Sequence, residues 1–444
     1  MSDSTDIPEG YKATELGALP EEWNIGKLDH VGILIRGVSY KETDLGETLQ
    51  PGFLPVLRAM NIQTGSLDLK SNLVFVRREK VSEKQILKYG DIVIAMSSGS
   101  KSIVGKAAQI HDDWNGSFGA FCAGFRTQSK TIDKEFIGFL FQTTAYREYI
   151  EKSACGTNIK NLTIPHILNY PIPLPPLPEQ HAIATTLRTV QEAQEKTHAV
   201  IAATKALKAA MMKHLFTYGP VPLEEAERVA LRETEIGPVP EEWDVVDLEK
   251  ILKIPVRNGY ALNQSKAKEE VRTYKLTAVT KNDFSYKYTK KIGVDPSKLE
   301  NYWLTPGDIF IARANTPEYV GLAALYRGEE KYAIFTDLLV LVRVDVNIVV
   351  PKFLLEFLRM PVSRRYYQSR LKHTAGNFPK IDQNIINATK VPLPPLKDQK
   401  IISEIIETLD QKLAAEQSRK EALDTHFASL LHALMTAKIR VSTA

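Results

Sequence analysis

Cysteine is nearly absent from this 444-residue chain: only Cys122 and Cys155 occur, and neither belongs to a CxxC or CxxH pair. That usage excludes a disulfide frame and a cysteine-based structural zinc site, and it fits a reducing cytoplasm. Long hydrophobic runs are missing too. The most apolar stretch, Ala333 to Val342, is short and carries Asp337, so nothing reaches the roughly 18 residues of a membrane span. The N-terminal MSDSTDIPEG has neither a basic start nor an apolar core, and no secretory leader is expected. A strong charge of either sign is also lacking. The net charge is +4; residues 1–175 hold 19 Lys and Arg against 20 Asp and Glu, and residues 220–390 hold 26 against 23. Nonspecific nucleic-acid binders carry a heavier basic footprint, so contact with nucleic acid needs charge arranged locally or supplied by a partner. With 43% apolar and 25% charged residues, the composition is that of a globular protein with a real core.

Signatures of catalysis are missing as well. Gly99-Ser100-Lys101-Ser102-Ile103-Val104-Gly105-Lys106 approaches a phosphate loop, but five residues separate its glycines and Ala107 stands where a magnesium-binding Ser or Thr belongs. It reads as an exposed glycine turn between strands. No GxGxxG or GxSxG segment occurs, which removes the dinucleotide fingerprint and the nucleophile elbow. His426 and His432 lie six apart, a spacing that does not place two ligands on one helical face. Asp68-Leu69-Lys70 has the D-x-K of a nuclease without an acidic partner, and no (D/N/S)PP(Y/F/W) methyltransferase segment exists. The pattern is that of a binder.

What the chain does contain, it contains twice. LGALPEEW (Leu16 to Trp23) returns as IGPVPEEW (Ile236 to Trp243), and IPLPPLPEQ (Ile172 to Gln180) returns as VPLPPLKDQ (Val391 to Gln399). A repeat this long means tandem domains rather than a solenoid. Within each half, Tyr89-Gly90-Asp91-Ile92-Val93-Ile94-Ala95 matches Pro306-Gly307-Asp308-Ile309-Phe310-Ile311-Ala312, a tight turn entering a buried strand. Further strands are expected at Gly32 to Ile35, Leu54 to Leu57, Leu73 to Val76, Tyr274 to Val279 and Leu338 to Val344, and helices at Phe136 to Lys152 and Lys352 to Lys372. Each half is therefore an α+β domain.

The prolines of the two connectors hold the chain extended, and no proline or glycine interrupts Glu179 to Phe216 or Asp398 to Val441. Steps of four and three along the second run pick out Ile402, Ile406, Leu409, Leu413, Glu416, Lys420, Leu423, Phe427, Leu430 and Leu434, a coiled-coil seam. The same register in the first run gives Ile183, Leu187, Val190, Gln194, Thr197, Ile201, Thr204, Lys208, Met211 and Leu215. Its middle is polar, which suits either a fixed register or a partner surface. Two matched seams predict an antiparallel, pseudo-twofold pair of long helices, with separate packing of each on its own domain as the alternative.

Nucleic-acid signals are local. Lys281 to Lys291 interleaves lysine with aromatics, including Lys287, which suits phosphate contact and stacking or a solvated strand face. Arg364 to His373 is a basic helix end, as the helix dipole alone would also favour. Cys155-Gly156-Thr157-Asn158-Ile159-Lys160 and Ala375-Gly376-Asn377-Phe378-Pro379-Lys380 place a lysine after a glycine turn in both copies, either a matched binding loop or a repeated structural turn.

The order PEEW, PLPPL, long helix, twice over, resembles the specificity (S) subunit of type I restriction-modification systems. The resemblance covers the whole chain and implies a non-catalytic DNA-binding subunit. Residues 1–175 would form one target recognition domain with its N-terminal segment, 176–218 the central conserved helix, 219–393 the second target recognition domain and 394–444 the C-terminal conserved helix. Each domain would read one half of a split double-stranded DNA target. The helices, through residues such as Ile183, Leu187, Val190, Ile402, Ile406, Leu409, Leu413, Leu423, Leu430 and Leu434, would form an antiparallel coiled coil that sets the spacer and docks two methyltransferase (M) subunits, with restriction (R) subunits in the larger assembly. The partners would bind S-adenosylmethionine, ATP and magnesium, and this chain no cofactor. Arg313 stands where the first copy has Met96, so the two domains are expected to read different bases. Candidate DNA contacts are Lys101, Lys160, Lys281, Lys287, Arg313 and Lys380. The competing expectation is a coiled-coil scaffold without DNA specificity.

Overall fold

The two Gly-Asp turns open the central strands of two equivalent sheets. The computed structural model describes all residues except 1–6, 101, 113, 154–159, 262–268, 295, 296, 298, 373–377 and 442–444. The chain divides into two compact units, Met1–Ala199 with Gln417–Ala444, and Val200–Glu416. In the first, Ile92–Ala95 runs between Ala107–Gln109 and Cys122–Thr127, with Gly32–Arg36 outermost. In the second, Ile309–Ala312 runs between Ala323–Leu325 and Leu339–Val342, with Arg257–Asn258 outermost. A smaller sheet also repeats. Ser117–Phe118 lies parallel to Phe53–Leu57, which pairs antiparallel with Val74–Arg77; Ile334–Phe335, Glu269–Tyr274 and Thr289–Val294 do the same in the second unit.

The aspartate of each turn explains why the motif recurs. Asp91 accepts the Lys88 N–H at 2.8 Å and a two-pronged contact from Arg126 at 2.9 and 2.6 Å. Asp308 accepts the Thr305 N–H at 2.8 Å and Arg343 at 2.6 and 2.7 Å. Both carboxylates are buried, and their bonds hold the pKa of each guanidinium above its usual value. One side chain thus closes the turn and anchors the neighbouring strand.

Helices α1 (Lys134–Leu140) and α2 (Thr144–Ser153) pack on the first sheet, followed by the long helix α3 (Leu177–Tyr218). Helices α4 (Pro351–Arg359) and α5 (Pro361–Gln368) belong to the second unit, and α6 (Leu396–Met435) is the second long helix. The single helices expected at Phe136 to Lys152 and Lys352 to Lys372 are each two. Thr143 caps α2, its hydroxyl accepting the Tyr146 N–H at 3.2 Å, and Pro361 starts α5 because it has no N–H to continue α4. The strand expected at Tyr274 to Val279 ends at Tyr274; Leu276–Thr280 is a short helix whose Ala278 and Val279 are buried and which stops before Asn282 at φ 51°. Tertiary burial overrides the β-branched propensity there.

The connector motif ends on a buried glutamine for a physical reason. Gln180 donates to the carbonyls of Pro175 and Thr131 and accepts the Asp133 N–H. Gln399 donates to Pro394 and Ile348 and accepts the Val350 N–H. Each amide ties the start of a long helix to the start of the domain's own helix pair.

None of the twenty seam positions is exposed. In the first unit Glu179 pairs with Arg440 and Gln194 donates to Asp424 at 2.9 Å; in the second Lys208 reaches Asp410 at 2.5 Å while Leu215 and Phe216 share a core with Ile402 and Ile406. Later residues of α3 meet earlier residues of α6 in each unit, so the pair is antiparallel. Thr197 and Thr204, polar intruders in the seam, turn their hydroxyls back to the carbonyls of Ala193 and Val200 at 2.8 Å, which leaves methyl groups for packing.

The seats of the domains on these helices differ in chemistry. Phe139 stacks on Phe427 with ring centroids 6.1 Å apart. In the second unit Glu356 holds the place of Phe139 and Lys208 that of Phe427, with their charged groups 3.4 Å apart. Lys352 pairs with Asp410 and Glu356 at 2.8 Å each, and Arg327 beside Glu407 holds that carboxyl down to about 2.

Candidate nucleic-acid interface

Each central strand delivers its last residues into a cluster of loops, and the backbone of that cluster is the same in both units. Met96 donates to the Phe121 carbonyl at 2.8 Å and accepts the Leu162 N–H at 2.8 Å. Arg313 donates to the Leu338 carbonyl at 2.8 Å and accepts the Ile381 N–H at 3.0 Å. Ser97 and Ser98 then pair with Asn161 and Lys160, as Ala314 bridges Lys380. A third segment joins through the parallel bridges Val38 to Gly119 and Tyr260 to Thr336. Glycine is required beside them: a Cβ on Gly37 would lie 2.0 Å from the Gly119 oxygen, and one on Gly259 2.1 Å from the Thr336 oxygen. Those distances are far inside any allowed contact, so these two positions let the backbones close on each other.

On this common frame the side chains diverge. The first unit presents Phe121, 68% exposed, with Ser97, Ser98 and Asn161. The second presents Leu338, Arg313, Asn315, Lys380 and Phe378, the last 67% exposed. Arg313 donates one Nη1 bond to the Asp337 carbonyl at 3.3 Å, and its Nε is buried without a partner among the described residues. A guanidinium has five donors in a rigid fork, so most of its capacity is unspent and its stem is held by the backbone. Lys372, which exchanges both backbone bonds with Lys380, is paired to Asp382 and holds that carboxyl below the usual range. Among the described residues, the cations left to this cluster are Arg313 and Lys380.

Arg313 and Lys380 come together at this cluster, and the backbone of Lys160 lies at its counterpart. Lys101 lies outside the described residues, as do Cys155 to Ile159 and Ala375 to Asn377 of the paired loops. Lys281 and Lys287 belong elsewhere. Their segment packs through Phe284 against Phe310 and Tyr326, Asn282 accepts from Arg359, and the Lys287 ammonium lies 2.9 Å from Asp283 and 5.0 Å above the Tyr288 ring. The lysines of the repeated loops also differ in register. Leu162 and Ile381 hold equivalent places, so Lys380 corresponds to Asn161 and not to Lys160. The first loop is one residue longer between its glycine and that anchor. Phe121 and Asn161 carry no motif in the sequence; Phe378 lies within the repeated loop Ala375 to Lys380, where the lysine was the visible signal.

Comparison with known proteins follows the same division. The family described as Type I restriction modification DNA specificity domain matches residues 20–203 and 240–425. The chain is similar to the type I restriction enzyme StySPI specificity subunit of Salmonella potsdam, 32% identical over 410 residues and covering 90% of this chain and 83% of that one. It is 31% identical over 410 residues, with the same coverages, to the EcoKI specificity subunit of Escherichia coli (strain K12). Its fold is similar to the crystal structure of a type I restriction-modification S subunit from M. genitalium, with a TM-score of 0.60 at 17% identity over 93% of this chain and 96% of that one.

Proposed function

Because this chain belongs to the family of type I restriction-modification DNA specificity subunits, we propose that each unit reads one half of a bipartite double-stranded DNA target. Helices α3 and α6 set the distance between the halves and dock two methyltransferase subunits. The observation that carries this reading is the loop cluster, built on one backbone twice and furnished with different side chains. Two identical readers would need no such divergence. Phosphate contacts orient each unit, and base-edge hydrogen bonds specify; two heads on a spacer engage one face of the duplex when set near one helical turn apart, about 34 Å. The chain itself performs no chemistry in this scheme. The methyltransferase subunits bind S-adenosylmethionine, and the restriction subunits that complete the assembly use ATP and magnesium.

Docking has a surface to use. Along α3, Val200 and Leu207 are 37% and 51% exposed, and the alanines between them are exposed too, an apolar strip that flanks the seam.

Replacing Arg313 with alanine, in the chain co-expressed with its methyltransferase, is expected to cost about 1–3 kcal/mol of binding to the cognate duplex. Mapping of methylated bases should then show relaxed preference in one half-site and an unchanged other half. Relaxation of both halves, or of neither, would sink the assignment, and a scaffold without DNA specificity predicts no change at all.

A further inference from the structure

Of the three arginines on α5 and just beyond its end, none has an acidic partner among the described residues, and one is bound to a neighbouring loop. Arg364 donates to the carbonyls of Val320 and Glu318, as Arg147 donates to Val104 in the first unit. Arg365 makes no hydrogen bond or ion pair through its side chain among the described residues, and Arg370 lies 4.0 Å over the Tyr366 ring with bonds only to its own helix end. Both line a cavity of about 590 Å³ together with Glu235 and Lys390, and the Lys390 ammonium is occupied by Asp247 at 3.1 Å.

The first unit is built differently at this place. Matching the Arg147 and Arg364 contacts sets Glu148 against Arg365 and Ser153 against Arg370, and the strand pairings set Pro171 against Lys390. Tyr146, Tyr149 and Tyr170 stack there, with ring centroids 5.3 and 4.9 Å apart, where the second unit has Ser363, Tyr366 and Thr389. Tyr367 stands where the first unit has Ile150, its hydroxyl 3.0 Å from Thr389, and Arg365 and Arg370, with no acidic partner among the described residues, line the space beside it. The neighbouring cavity of the first unit, about 320 Å³, is lined by residues such as Leu140, Phe427 and Leu431 and, among the described residues, by no Lys or Arg.

We propose that Arg365 and Arg370 form a phosphate-binding site that the second unit has and the first lacks. Its occupant is a backbone phosphate of the DNA, since the helix that carries it leads through Lys372 to the Lys380 bridge of the loop cluster. The site rests on the DNA-reading function above and adds that the second unit holds DNA of any sequence more strongly than the first. An arginine fork on an aromatic floor suits a phosphate oxygen pair, and a contact of this kind contributes affinity without sequence preference.

The test uses the full chain with its methyltransferase subunits and a random-sequence duplex, with affinity measured across a salt series. R365A/R370A should lower the slope of log Kd against log salt by about 0.9, the increment for one phosphate no longer neutralised, and leave the methylated target unchanged. R365K/R370K, which keeps the charge, should retain most of the slope and guards against misfolding of the alanine variant. Tripolyphosphate that binds the wild type, fails to bind R365A/R370A and leaves the duplex slope untouched would retain the phosphate site and assign it to a free ligand. An unchanged slope together with no tripolyphosphate binding overturns the proposal, as does loss of methyltransferase association in its place. Failure of the wild type to prefer any target would instead strike the DNA-reading function.

Discussion

Replacing Asp308 with alanine is expected to cost the second unit about 3–5 kcal/mol of stability, the range for removing one partner of a buried ion pair. The side chain of Asp308 is 1% exposed and that of Arg343 is 26% exposed, so the guanidinium left behind has little water to turn to. The Thr305 N–H loses its acceptor at the same time. Chemical unfolding followed by a probe in each unit should show the second transition moved and the first in place. The double variant D308A/R343M should recover much of the loss, because a pair removed whole leaves no unpaired charge. D91A gives the mirror experiment in the first unit, through Arg126. Equal losses in the single and double variants would mean that the turn depends on the aspartate's own backbone bond and not on the pair.

Lengthening both long helices by one heptad is expected to lengthen the spacer in the DNA target and leave both half-sites alone. The compact units meet between Ala199 and Val200 on α3 and between Glu416 and Gln417 on α6, so seven residues inserted at each junction leave every pair within a unit intact. A heptad preserves the seam and adds about 10 Å at 1.5 Å per residue, which corresponds to roughly 3 base pairs at about 3.4 Å each. Insertion into α3 alone, anywhere from Glu192 to Lys205, slides its pairing residues against those of α6. Methylated-base mapping that returned altered half-sites with the original spacer would reject the helices as the ruler.

Much of the frame was legible in the sequence because it rests on short-range, periodic signals. Seam residues recur at steps of four and three, and the Gly-Asp turns and the prolines are local grammar with one stable solution. Other features depend on partners far away in the chain. Arg126 and Arg343 give no sign of their aspartates 35 residues earlier. Tyr274 to Val279 reads as a strand until burial of Ala278 and Val279 turns it into a helix. The candidate site divides the same way. Arg313 was visible as a departure from Met96 on a matched strand, whereas Lys380 and Lys160 looked equivalent until backbone pairing showed a one-residue difference in loop length. Lys287 seemed available for phosphate and is occupied by Asp283.

A chain that reads two different words at a fixed distance leaves a record of both in the DNA that its partners modify. Genome-wide mapping of methylated bases in cells that express this chain with its methyltransferase is therefore the deciding experiment. Two unlike half-sites, separated by a spacer of constant length and indifferent sequence, are the expected result. A single uninterrupted motif, or two identical half-sites, would contradict it.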